Sequence, residues 1–130
     1  MFTKDETFAA VEGHLARRNS MKRMISTGML EISVDDIRSD RHCALGRLLH
    51  GNILSEKDKA TATYKDIVEI HKEFHAICAE ILLNVERKEF EYAQKMLDWD
   101  FNSTSLKLIR LLLNAQGDPI RPIKPDQDKE

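Results

Sequence analysis

Two histidines stand one helical turn apart in the middle of this chain, in the segment His71-Lys72-Glu73-Phe74-His75. Residues at positions i and i+4 share one face of a helix, with Cβ atoms about 5–6 Å apart, so both imidazole rings can reach a single ion. A buried ring nitrogen is costly when it has no hydrogen-bond partner. A metal would satisfy both rings at once, and water, a carboxylate or a backbone carbonyl would also serve.

The residues around this pair repeat with the spacing of a helix face that is turned toward a core. The face comprises Tyr64, Ile67, Val68, His71, Phe74, His75, Cys78, Ile81, Leu82 and Val85. Cys78 continues the pattern one turn beyond His75, which is typical of a small buried hydrophobic residue. We therefore predict a long helix that presents both imidazoles to the interior.

Other residues in the chain can complete a metal site. His14 follows Gly13, whose missing side chain allows close approach, and Cys43 lies in a segment rich in polar and glycine residues. If the fold brings them to His71 and His75, three imidazoles and one thiolate form a closed donor set that suits tetrahedral Zn²⁺. No disulfide between Cys43 and Cys78 is expected in a cytosolic chain.

The elements that position these residues are predicted to be helices throughout. Proline is absent before Pro119, and neither β-branched alternation nor an Asn-Gly turn occurs. The predicted elements run from about Thr3 to Ser26, from Ser33 or Ser39 through Cys43 to Gly51, from the capping box at Ser55-Glu56-Lys57-Asp58 to about Glu86, and from about Lys88 to Ala115. Gly28 and Gly117 are expected to end the first and last helices. Three long helices and one short segment carrying the cysteine predict an all-α, four-helix bundle.

The apolar spacing also predicts which residues the outer helices bury. The expected inward residues are Phe8, Val11, His14, Leu15, Met21, Met24 and Ile25 in the first helix, and Phe90, Ala93, Leu97, Phe101, Leu108, Leu111 and Leu112 in the last. Residues 1–116 are expected to form one domain. Residues 117–130, with three prolines and alternating charges, are expected to be an extended linker or a disordered tail.

Composition excludes several classes of partner. The chain has 130 residues and a net charge of −2, so no nucleic acid is expected. The basic cluster Arg17-Arg18 with Lys22-Arg23 is interpreted as a solvated helix face. No apolar run reaches the ~18–20 residues of a membrane span, and the N-terminus lacks the apolar region of a secretory signal. We therefore expect a cytoplasmic protein without membrane insertion.

At the candidate ligands, the chain resembles the chemoreceptor zinc-binding (CZB) domain family. The matching motifs are His14, His42-Cys43-x-Leu45-Gly46-Arg47 and His71-x-x-Phe74-His75, and the resemblance extends from about Phe8 to Leu113. It implies a bacterial cytosolic four-helix module, often a homodimer, that is attached to chemoreceptors or diguanylate cyclases. It also implies that His14, Cys43, His71 and His75 are the zinc ligands and that His42 is not.

The chain departs from the family pattern at three positions near the expected metal. Arg17 stands where the family commonly has Trp, and Leu48 and Leu49 stand where it usually has aromatic residues. These changes bear on the shape of the pocket and its access to water. His50 has no counterpart, and we expect it to be an exposed histidine that interacts with the C-terminal dipole of its helix.

The resemblance implies two inputs, zinc level and oxidants such as hypochlorous acid. Zinc keeps a cysteine ligand as the thiolate that oxidants attack, and oxidation to a sulfenic acid would weaken the site. We therefore favour a zinc-dependent sensory or regulatory domain that controls chemotaxis or cyclic-di-GMP output, in cis or in trans. The alternative is a structural or dimerisation bundle with permanent zinc and no sensing role.

Catalysis has little support in the sequence. A closed site of three histidines and one cysteine has no open position for the water that zinc hydrolysis requires. A hemerythrin-like carboxylate site would need Glu-x-x-His spacing, whereas Glu69 and Glu73 offer only Glu-x-His. No Ser/His/Asp arrangement or phosphate-binding loop occurs. We therefore expect a protein that is not an enzyme.

Overall fold

A computed structural model describes residues 1–116 of the chain. Helices account for 78% of these residues and no β-strand occurs among them, which confirms the all-α class. The helices are α1 (Lys4–Thr27), α2 (Val34–Arg38), α3 (Ala44–His50), α4 (Glu56–Lys59), α5 (Ala62–Glu86), α6 (Phe90–Met96) and α7 (Asn102–Asn114). The expected tail at 117–130 and the stop at Gly117 lie outside the described residues. Within residues 1–116, no helix is both long and apolar enough to cross a lipid bilayer.

Local capping signals determine where α1 begins and ends, close to the prediction. The Thr3 hydroxyl accepts the backbone N–H of Glu6, and the Glu6 carboxylate accepts the N–H of Thr3, which forms a complete capping box. Gly28 ends the helix in the left-handed conformation, with φ of 72°. The helix is therefore bounded by interactions within its own ends.

The prediction of one short segment around Cys43 is wrong, because two helices occupy it. Ser33 caps α2, and residues 39–43 then form a loop that leads to α3. Cys43 is itself the N-cap of α3, and its Sγ accepts the backbone N–H of Gly46 at 3.3 Å. The cysteine therefore stands just outside the helix, in extended backbone conformation, with its sulfur held at the helix N-terminus.

The prediction that Ser55 opens the long third helix is also wrong. Ser55 caps only α4, a single turn without a buried residue, and the long helix α5 begins after a second cap at Thr61. Both positions carry valid capping signals. Because α4 has no apolar face to pack, nothing extends it into a longer helix.

The last predicted helix has the expected extent but contains an irregularity. A π-helical turn at Leu97–Phe101 joins α6 to α7, with helical dihedral angles at both junctions. The buried residues Ala93, Leu97 and Phe101 recur every four residues, a longer repeat than the 3.6 residues of an α-helix. The wider turn keeps them on one side of the helix.

Helix α5 lies at the centre of the core and contacts α1, α2, α6 and α7. Its predicted apolar face is buried except for Tyr64 and Val68, which are half-buried. Helix α1 lies antiparallel to α6–α7: the N–H of Phe2 donates to the carbonyl of Ala115, and Arg18 near the middle of α1 donates to the side chain of Asn102. The long helices therefore surround α5 and hold it in the interior.

The predicted inward face of α1 is wrong at Phe8 and Leu15, which are 65% and 48% exposed. Thr7 and Ala10 are buried in their place, on the face that carries His14. Apolar residues follow two neighbouring stripes of α1, and small side chains on the His14 stripe allow the helix to approach α5 closely. Phe90 is also exposed, because it stands in the first turn of α6.

Gly46→Ala is expected to destabilise the domain by about 2–3 kcal/mol, because an added Cβ would overlap the carbonyl oxygen of Asp40 and the backbone of Arg41. Thermal unfolding followed by circular dichroism measures the effect. Gly13→Ala is the matched control, since a Cβ there would meet no atom within 4 Å. It should stabilise α1 by about 0.5–1 kcal/mol. Equal effects of the two substitutions would contradict the close approach of the 39–43 loop to α3.

Candidate metal centre

Three separate parts of the chain bring four donor side chains together inside the domain. His14 comes from α1, Cys43 from the N-terminus of α3, and His71 and His75 from α5. One donor atom from each lies within 4.8 Å of the others. The three histidines are buried and the cysteine is half-buried. The structure therefore groups all four residues that the sequence analysis proposed as ligands.

Three of the four donor atoms are spaced much as in a tetrahedral zinc site. Cys43 Sγ lies 3.2 Å from His71 Nε2 and 3.6 Å from His75 Nε2, and these two nitrogens are 3.1 Å apart. Tetrahedral zinc with ordinary bond lengths separates two nitrogens by about 3.3 Å, and a nitrogen from a sulfur by about 3.6 Å. A single ion therefore fits between the donors with small side-chain adjustments.

Backbone carbonyls orient two of the imidazole rings. His14 Nδ1–H donates to the carbonyl of Ala10 at 2.6 Å, and His75 Nδ1–H donates to the carbonyl of Ile37 at 2.8 Å. Because Nδ1 carries the proton in each ring, Nε2 has the free lone pair that a metal needs. His14 Nε2 is buried and has no hydrogen-bond partner among residues 1–116. An ion at the centre would satisfy this nitrogen.

Burial keeps the histidines neutral. Loss of hydration lowers the pKa of His14 to about 4, against the opposing hydrogen bond to Ala10. Burial, with the neighbouring rings of His75 and His14, lowers the pKa of His71 to about 2, and burial also lowers the pKa of His75. The neutral imidazole is the form that binds metal, so the histidines need not lose protons to bind zinc at neutral pH.

The surroundings of Cys43, in contrast, favour the protonated form, which does not bind metal. Burial raises the pKa of the Cys43 thiol, although the N–H groups of Gly46 and Leu45 at the start of α3 partly offset this effect. The protein alone therefore favours the thiol, while a bound cation favours the thiolate. Proton release on metal binding is thus expected at Cys43.

The remaining histidines and the second cysteine lie outside this cluster. His42 is exposed, and Cys78 is fully buried in the core, where burial raises its pKa to about 12. The expectation of an exposed His50 is wrong: its side chain is only 17% exposed, and its Nε2 lies 3.5 Å from Asp40 Oδ2. This pair connects the 39–43 loop to the C-terminal end of α3.

The groups that hold the donors in place were not predicted from the sequence. They are the carbonyls of Ala10 and Ile37 and the N–H of Gly46. All three are backbone groups, which residue types do not reveal. A signal for the N–H of Gly46 was available, because an N-cap side chain commonly bonds to the residue three positions later.

Comparison with known protein families gives a match. A family model described as "Chemoreceptor zinc-binding domain" matches residues 14–82, which is more than half of the chain and includes all four donor residues. No curated protein and no solved structure matches the chain.

The metal-free protein is expected to lose stability as the pH falls below about 6.5. In the folded protein the pKa of His14 is about 4, whereas its ordinary value is 6.5. Between pH 6.5 and pH 4 the unfolded chain therefore binds a proton that the folded protein does not, which lowers the free energy of unfolding. His71 and His75 shift in the same direction. The thermal midpoint of chelator-treated protein should fall by ~10 °C or more between pH 7.5 and pH 5. His14→Gln, which cannot titrate, should reduce this pH dependence; an unchanged profile would show that other groups cause it.

Proposed function

The chain belongs to the chemoreceptor zinc-binding domain family, and we propose that it is a bacterial cytosolic sensory domain that responds to zinc and to oxidants through Cys43. One observation carries this proposal: donors from α1, the start of α3 and α5 converge on one centre. A change at that centre acts on three parts of the fold at once. Such a site is suited to signalling as well as to binding.

We assign the zinc ligands as His14 Nε2, Cys43 Sγ, His71 Nε2 and His75 Nε2. The donor types, their spacing and the free Nε2 of His14 support this set. When bound, zinc holds the sulfur as a thiolate and links the three segments. Four protein ligands leave no position for a reactive water, and the family is not a known enzyme family. We therefore propose a binding role without catalysis.

The short helices are the part of the fold that depends most on the centre. Helices α2 and α3 have five and seven residues, too few to be stable in isolation. Cys43 joins α3 to the donors, and the hydrogen bond from His75 to Ile37 joins α2 to α5. Loss of the metal would release Cys43 and His14, and so loosen the α2–α3 segment and α1 from α5.

Oxidation of Cys43 would loosen the same segments as loss of the metal. The thiolate sulfur attacks the chlorine of hypochlorous acid and hydroxide leaves; water then displaces chloride to give the sulfenic acid, with release of a proton. A sulfenic acid is a weaker ligand than a thiolate. Cys78 would not compete, because it is fully buried and its raised pKa keeps it a thiol.

We propose that residues 1–116 form one four-helix bundle, with α1, the α2–α3 segment, α5 and α6–α7 as its four parts. Output would pass to a chemoreceptor or a diguanylate cyclase, either in the same polypeptide or in trans. The family's association with chemoreceptors and signalling proteins supports this assignment.

We also propose that the domain is a homodimer through an outer apolar face. This face consists of Phe8 and Leu15 on α1 and Trp99, Leu106 and Leu113 on the last helix, which are 48–75% exposed. The spacing of seven residues within each helix is typical of a helix-pairing surface. The hydrogen bond from Arg18 to Asn102 joins the two helices near these stripes. Because α1 also carries His14, movement at the metal would reach the dimer interface.

The second candidate function is a dimerisation bundle with permanent zinc. The outer apolar face favours an interaction role, and this role does not require the metal to be exchanged. The two candidates differ in whether zinc leaves under cellular conditions and whether its loss changes the interface.

Cys43→Ala is expected to reduce zinc affinity at least 100-fold, because it removes the only anionic ligand of the proposed set. Cys78→Ala should leave the affinity within about two-fold, since the change affects only core packing. Elemental analysis and competition with a chromogenic chelator measure both variants. Equal zinc affinities in the two proteins would refute the ligand assignment.

Zinc removal is expected to increase amide hydrogen exchange in residues 34–50, which include α2 and α3, much more than in α5. Sedimentation velocity on the same samples should show that the dimer weakens. The variant Trp99→Glu should be a monomer with or without zinc.

Wild-type protein should exchange zinc with a chelator that buffers the free ion near cellular levels. Zinc that stays bound under these conditions, with an unchanged dimer after forced removal, would favour the permanent site.

A further inference from the structure

A cavity of about 150 Å³ opens beside the donor cluster, between α1, the start of α3 and α5. Its wall includes the donor residues His14, Cys43 and His75, together with Gly13 and Arg17 of α1. Liquid water occupies about 30 Å³ per molecule, so the cavity has room for roughly five waters or one small organic molecule. It therefore offers a route to the sulfur of Cys43.

Small residues on α1 keep this route open. Ala9, Ala10 and Gly13 line the cavity, and a Cβ built on Gly13 would meet no atom within 4 Å. Cys43, at the other side, is half-buried, whereas Cys78 is completely enclosed. A solute of the right size can therefore reach one of the two cysteines only.

The charge along the cavity is positive. Arg17 lines it and forms no ion pair or hydrogen bond with another side chain in residues 1–116. Its charge reaches the donors, since it contributes to the lowered pKa of both His14 and His75. Asp40, whose negative charge opposes this effect at Cys43 and His75, does not line the cavity. With zinc and one thiolate, the centre itself would also be cationic.

We propose that this cavity is an anion-selective entrance to Cys43, in which Arg17 draws small singly charged anions toward the sulfur. The inference rests on the proposed role of Cys43 as the reactive ligand, and it specifies the class of reactant. Small anionic electrophiles and oxyanion oxidants should react faster than neutral reagents of the same size, such as peroxides. Larger anions should be excluded by the volume of the cavity.

Iodoacetate and iodoacetamide test the selectivity, because they have nearly equal size and differ in charge. In both, the Cys43 sulfur attacks the CH₂ carbon, the carbon–iodine bond breaks and iodide leaves. Rates are measured on the zinc-loaded protein by mass spectrometry of the Cys43 peptide and divided by the rates of a neutral free thiol. We expect the iodoacetate-to-iodoacetamide ratio to exceed that of the free thiol roughly three- to ten-fold at low salt.

Arg17→Gln should return this ratio to that of the free thiol, while Arg17→Lys, which keeps the charge, should retain most of the preference. Arg47→Gln is the matched control, since Arg47 is exposed on α3 and does not line the cavity. Sodium chloride at about 0.5 M should reduce the preference of the wild type, but have little effect on Arg17→Gln. Cys78 should remain unlabelled throughout.

The possible outcomes distinguish a failure of the proposed entrance from a failure of the proposed reactivity of Cys43. Suppose that Cys43 reacts with both reagents. If Arg17→Gln then leaves the iodoacetate-to-iodoacetamide ratio unchanged, or Arg47→Gln lowers this ratio equally, the anion-selective entrance is refuted. The proposal that Cys43 is the reactive ligand is not affected by that result. If Cys43 reacts with neither reagent while the protein is folded and zinc-loaded, its proposed reactivity is refuted, and the entrance with it.

Discussion

Four donor atoms are crowded together in the interior of this domain, and the protein satisfies them only in part. His71 Nε2, His75 Nε2 and Cys43 Sγ lie within hydrogen-bonding distance of one another, whereas His14 Nε2 has no partner in residues 1–116. Such a group is costly to bury unless a cation binds it. The buried face of α1, the start of α3 and the histidine pair of α5 all meet at this arrangement.

The fold supplies each donor by a different local device. Helix α5 presents two histidines through its own periodicity, and the buried face of α1 presents the third. Cys43 uses the N-terminus of α3, where backbone N–H groups favour the negative charge that a zinc-bound sulfur carries. Gly46 makes this possible, because only a residue without a side chain leaves room for the backbone of Asp40 and Arg41. The cysteine position is thus the most constrained of the four.

Helix α1 connects the centre to the outside of the domain. Its inner face carries His14, its outer face carries Phe8 and Leu15, and Arg17 lines the cavity beside His14. A single rigid helix cannot adjust one face without moving the others. Helix α1 therefore takes part in metal binding, in the access of reactants and in the proposed self-association. This shared element gives a physical basis for coupling between them.

The sequence by itself determined the helical class, the bounds of α1, the buried face of α5 and the four donor types, because capping and periodicity are properties of neighbouring residues. It could not decide between the two apolar stripes of α1, nor divide the segment around Cys43 into two helices. It also gave no sign of the carbonyls of Ala10 and Ile37 or the pairing of His50 with Asp40. Those features depend on which surfaces meet across the core, and contacts between residues distant in the chain leave no local pattern. Only the tertiary structure decided them.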